Sequence, residues 1–235
     1  MTTILTRPSI GELRKAASGE NVSLPIIAIE PRSHFAKKLK RDLNGDGRFI
    51  ILEKELDVKD GWSDFFVYPG IDDPQFRKWN LSSLYKFSDN AIECLTFFRV
   101  NTQKKAAIKK HCENPTKTIV ETVRLDTIVS HFNIDRIDFL DITRCQGNQF
   151  NALLSIGEKL DIVKKGVAFG AWAYDIYQND TNTNHALDIA RWLTGNNFQT
   201  HIFPDRHPIN FIRFRKRQYG LNARVAFNIK EEKYD

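Results

Sequence analysis

The sequence predicts an α/β protein built on an open sheet, and three observations predict it. Short apolar runs alternate with helical patterns from the N-terminus to about Gly195. Beyond that point the chain reads as strands without intervening helices, which indicates an antiparallel finish. No internal repeat, low-complexity linker or heptad run breaks the series, so a single domain is expected over 1–235. The composition agrees: 235 residues that are 41% hydrophobic can bury a substantial core, which excludes general disorder.

Thr2 to Thr6 is a β-branched apolar run, and Pro8 and Ser9 open a helical pattern through Ile10, Leu13 and Ala17. Pro25 to Pro31 carries a continuous apolar strand ended by Glu30, after which His34 to Leu43 reads as a basic amphipathic helix. Gly45-Asp46-Gly47 follows that helix and precedes the Phe49 to Leu52 strand, the reverse of a phosphate loop, so it is a turn. Ser63 to Tyr68 alternates as a strand of a hairpin or insertion. About 69–118 is expected to be an irregular insertion, with Phe97 to Val100 as an edge strand.

Val123 to Val129 gives a strand end and a helix start, and Ile137 to Ile142 a buried strand loaded with carboxylates. Helical spacing recurs over Phe150 to Leu160, and Val167 to Tyr174 is the next strand. Thr183 to Leu193 is a helix closed by Gly195. Strands at Thr200 to Phe203, Asn210 to Phe214 and Arg224 to Ile229 complete the series.

No stretch approaches the length of a membrane span and no signal sequence opens the chain, so a soluble, cytoplasmic protein is expected. Cys94, Cys112 and Cys145 lack a C-x-x-C spacing and read as free thiols. The six histidines lack metal-binding spacing, so no metal is expected; His185, opening a helix at the rim of the sheet, is either a catalytic candidate or a surface histidine at a helix start. The net charge of +6 permits an anionic partner. Its visible cluster is Arg213, Arg215, Lys216 and Arg217, interleaved with Phe214 and Tyr219: either a surface for nucleic acid or an anionic glycan, or a strand with a solvated basic turn.

In an open α/β sheet, ligands sit outside the carboxyl ends of the strands, so carboxylates there come first. Glu30 and Asp141 hold such places, as a ribose acceptor and a site acid or as solvated strand-terminal charges. The run Ile26 to Phe35, with Glu30-Pro31 before a helix, resembles the second-strand signature of the FkbM-type methyltransferases. Val123 to Val129, then Ile137 to Ile142 and Gln146-Gly147, are similar to that family's later segments.

The resemblance runs from about Ile4 to Phe214. It implies a class I methyltransferase fold, Rossmann-like, with a seven-stranded mixed sheet and helices on both faces. It also implies S-adenosylmethionine (SAM) as donor and a sugar hydroxyl of a glycan or small metabolite as acceptor. By the same resemblance Gly11, Glu30, Leu56 and Asp57 would bind the cofactor, and Asp141 would orient or deprotonate the acceptor.

Two departures set up an alternative. The family's first strand ends in an aspartate and a glycine-rich turn that lets the backbone pass close under SAM. Here Leu5 holds the aspartate position, Arg7 the first glycine position, and only Gly11 matches. In the later motif Asp141 stands for the family's lysine and Thr143 for its aspartate, unless the register shifts by an added residue before Gly147. The alternative is therefore a catalytically inactive, methyltransferase-like binding or partner subunit. A nucleic-acid methyltransferase or binding module is the third reading.

Overall fold

A computed structural model of the chain describes residues 2–18, 25–68, 82–86, 113–145, 147–171, 186–204, 211–214, 217–220 and 222–230. Its N-terminal part is two strand-helix units followed by a third strand: β1 (Thr3–Thr6), α1 (Ile10–Ala16), β2 (Ile26–Ile29), α2 (Ser33–Asp42) and β3 (Phe49–Leu52). Ser9 starts α1 as a capping box, its hydroxyl accepting from the Glu12 N–H while the Glu12 carboxylate accepts from the Ser9 N–H. Next come β4 (Glu55–Leu56), β5 (Gly61–Val67), β6 (Thr116–Val123), α3 (Leu125–His131) and β7 (Phe139–Asp141). The chain continues through α4 (Gln149–Leu154), a 3₁₀ turn (Gly157–Ile162) and β8 (Lys165–Ala171) to α5 (Ala186–Gly195). It ends in β9 (Phe198–Pro204), β10 (Phe211–Phe214), β11 (Arg217–Gly220) and β12 (Asn222–Ile229).

Seven strands form one mixed sheet in the order β3-β2-β1-β7-β8-β12-β9. The first five run parallel, and β12 is antiparallel to both β8 and β9. Alternate residues of the strands enter two apolar clusters, as the period of two in a strand requires. Ile4, Ile27, Ile29 and Leu140 pack with Ile128, Leu153 and Ile189 of α3, α4 and α5. Leu5, Ile26 and Ala28 pack with Leu13 of α1 and Leu39 of α2. Every side chain of β2 is fully buried, which is why it reads as an unbroken apolar run.

A second, three-stranded sheet, β4-β6-β5, flanks the insertion, with β6 parallel to β4 and antiparallel to β5. The strand expected at Ser63 to Tyr68 is therefore paired with a segment about fifty residues on rather than in a local hairpin. The expected edge strand at Phe97 to Val100 lies outside the described residues.

The helix expected over Phe150 to Leu160 stops at Leu154. Two features end it: the Ser155 hydroxyl and carbonyl accept the Leu125 and Asp126 N–H groups that open α3, and Gly157 takes φ +56°, which a right-handed helix cannot contain. β10 and β11 pair antiparallel, and Arg215 and Lys216 of the basic cluster, between them, lie outside the described residues. No helix among the described residues is long and apolar enough to cross a membrane.

Candidate functional site

The strand order places the chain's reversal between β1 and β7, and in an open α/β sheet the crevice at the carboxyl ends of two such neighbours is the expected ligand place. Four segments converge there: Thr6 and Arg7 after β1, Glu30 and Arg32 after β2, Glu55 to Asp57 at β4, and Thr143 to Cys145 after β7. What fills the crevice is the chain's own charge.

Arg7 takes φ +46°, the left-handed conformation that glycine adopts without cost, while carrying a long side chain. Its N–H donates to the Ile29 carbonyl at 2.7 Å. Its guanidinium is ion-paired with Glu55, donates to the Ser82 carbonyl at 2.5 Å and lies 5.1 Å over the Phe65 ring. Both members of the ion pair are 1% exposed. Burial works against the charge on Arg7, yet Glu55 above all, with Glu30, outweighs it and holds the guanidinium more firmly protonated than usual. Burial, with Glu55 adding to it, pushes the Cys145 thiol well above its ordinary range, so this buried cysteine is an inert thiol.

Arg144 ties the two sides of the crevice together. It donates to the Arg7 carbonyl at 2.6 Å and to both oxygens of Glu12, at 2.9 and 2.5 Å, while its N–H donates to Thr6 Oγ1. Glu12 is partly desolvated, which raises its pKa; hydrogen bonds from Ser9 and Arg144 more than compensate and hold it below the ordinary value.

Glu30 stands where expected, at the end of β2, and is buried. Arg32 grips it bidentately, Nε to Oε1 at 2.7 Å and Nη2 to Oε2 at 2.6 Å, and the Arg32 N–H adds a third bond to Oε1. Asp141 ends β7 beside Leu5 of β1, and its Oδ1 accepts from both the N–H and the hydroxyl of Thr143, at 2.9 and 2.6 Å. That is a local turn closing the strand.

Leu56 is fully buried in the main apolar cluster, and its carbonyl accepts from Asn148 Nδ2 at 2.6 Å. Asp57 caps Val58 through Oδ1 and is held above its usual pKa by burial. Gly11 lies inside α1, where an added Cβ would meet only Ser9 Oγ at 3.9 Å, so nothing in the packing demands glycine there. His185 lies outside the described residues.

The structure thus brings Glu30 into the crevice and leaves Leu56 in the core, Asp141 in a turn and Gly11 on a helix. Each oxygen of Glu30 accepts from Arg32, and the turn after β1 holds the Arg7 guanidinium in a buried ion pair with Glu55. Four residues that build the crevice went unread in the sequence: Arg32, Glu55, Ser82 and Arg144. The Glu30-x-Arg32 spacing and the Ser9-x-x-Glu12 pattern were visible signals. Glu55 had none, since a buried arginine requires a carboxylate without saying which.

The chain matches no family model and no curated protein sequence.

Proposed function

We propose that this chain is a class I methyltransferase-like domain, with helices on both faces of its sheet, that serves as a binding or partner subunit without SAM. The fold part is supported by the strand order, with its single antiparallel strand inserted beside the last, and by the two clusters that take α1 and α2 on one side and α3 to α5 on the other. The observation that carries the functional part is Arg7: a buried, ion-paired arginine in the left-handed turn after β1. Removing water from two charges costs several kcal/mol per ion, about what a good buried partner returns. A cofactor entering here would have to break that pair without replacing it.

The second reading, SAM-dependent O-methylation of a sugar hydroxyl, is favoured by Glu30, which retains the acidic strand-end position of the resemblance. Thermal unfolding separates the two. With SAM or S-adenosylhomocysteine at about 1 mM, the midpoint stays where it is without ligand; a cofactor bound at about 10 μM would add about 2.7 kcal/mol and raise the midpoint by several degrees. That rise, together with transfer of a labelled methyl group to a glycan, would overturn the proposal.

A further inference from the structure

The crevice matches its charges internally, whereas α2 does not. Lys37, Lys38, Lys40 and Arg41 are all exposed, and Lys37 lies three and four residues from Lys40 and Arg41, so like charges share one helical face and repel. Lys40 reaches Glu53 only at 4.0 Å, and Arg41 pairs with its neighbour Asp42 while remaining 75% exposed. Among the described residues Lys37 and Lys38 have no carboxylate within ion-pair distance. α1 packs into the same apolar cluster and adds exposed Arg14 and Lys15. A cleft of about 410 Å³ nearby has Arg14 and Arg48 in its wall but also Asp42 and Asp46, and is charge-matched, unlike the face of α2.

At the N-terminal end of this basic track stands an aromatic. Phe35 is 39% exposed, with the Arg32 guanidinium 4.0 Å from its ring centroid and the His34 ring centroid also at 4.0 Å. The apolar side of α2, Ala36 and Leu39, is buried, so the helix has no free apolar face with which to enter a bilayer. A row of cations leading to an exposed aromatic is the pairing that holds a single strand: phosphates along the charges, a base on the ring.

We propose that α2 is a binding surface for single-stranded nucleic acid, with the backbone along Lys37, Lys38 and Arg41 and a base against Phe35. The cations of the site lie along α2, outside the crevice, and Arg32 alone touches both, stacking on Phe35 while it holds Glu30, so SAM binding would sink the function proposed above without deciding this one.

The test is fluorescence anisotropy of the full chain with a labelled oligothymidylate of about 20 nucleotides. Three to four phosphate contacts predict that raising salt from about 50 to about 200 mM weakens binding about 20- to 50-fold. The variant Lys37→Glu/Lys38→Glu/Arg41→Glu binds at least about tenfold more weakly. A control of equal charge change, Lys59→Glu/Lys165→Glu/Lys230→Glu, stays within about threefold. Phe35→Ala loses about fivefold or more with the salt slope unchanged. Circular dichroism checks that each variant is folded. Equal losses in the two charge-reversed variants, no loss in Phe35→Ala, or capture of phosphatidylserine vesicles in preference to the oligonucleotide would each overturn the assignment.

Discussion

Two regions a short distance apart treat the same residue types in opposite ways. In the crevice between β1 and β7, each arginine meets a glutamate: Arg7 with Glu55, Arg32 with Glu30, Arg144 with Glu12. On α2 the cations face solvent, and two of them have no acidic partner among the described residues. The difference is one of solvent. An exposed lysine keeps its hydration and can wait for a partner, whereas a buried arginine cannot go unpaired. On the function proposed above, these pairs close the crevice that an open α/β sheet offers to a ligand.

The sharpest way to break the contrast is to remove the buried cation. Arg7→Gly leaves Glu55 buried and unmatched, a loss of about 3–5 kcal/mol, offset by about 1 kcal/mol because glycine accepts the left-handed backbone. Urea unfolding measures the net. The double variant Arg7→Met/Glu55→Leu removes both charges and recovers most of the loss, because an apolar pair needs no desolvation. A double variant no more stable than Arg7→Gly would mean that the crevice is held by something other than charge pairing.

The middle rung is Glu30→Gln. Arg32 is only partly buried and can turn to water, so the cost is about 1–2 kcal/mol, the worth of a charged hydrogen-bonded pair rather than of an unpaired buried ion. A loss as large as that of Arg7→Gly would place Glu30 in a deeper network than its bidentate bond to Arg32.

The smallest effect belongs to the strap at the crevice rim. Arg144 and Glu12 are 36% and 47% exposed, so Arg144→Ala costs about 1 kcal/mol or less. Because the folded state holds Glu12 below its ordinary pKa, its contribution is complete above that ordinary value and fades as pH falls through the lowered one. Unfolding curves of Arg144→Ala and the unmutated chain should converge in acid. If they stay parallel down to pH 2, the strap is not ionic.

Much of the fold was legible because its signals are local. The apolar run of β2, the capping residues before α1 and the bare strands after Gly195 each declare their element without help from distant residues. The insertion was not legible, because β5 finds its partner β6 about fifty residues away and nothing at either end encodes that pairing. The candidate site fell between these cases. Arg7 in place of a glycine was readable as a departure, but its consequence depended on Glu55 and Ser82, which only the folded chain brings to it. Asp141 was readable as a strand-end carboxylate, but the two hydrogen bonds it accepts from Thr143, two residues on, were not.

The central claim is that the chain's own arginines occupy the place a cofactor would need. Calorimetric titration of the unmutated protein with S-adenosylhomocysteine tests it most directly. A filled crevice predicts no saturable heat up to millimolar ligand. One-to-one binding in the micromolar range, weakened by Glu30→Gln, would contradict it.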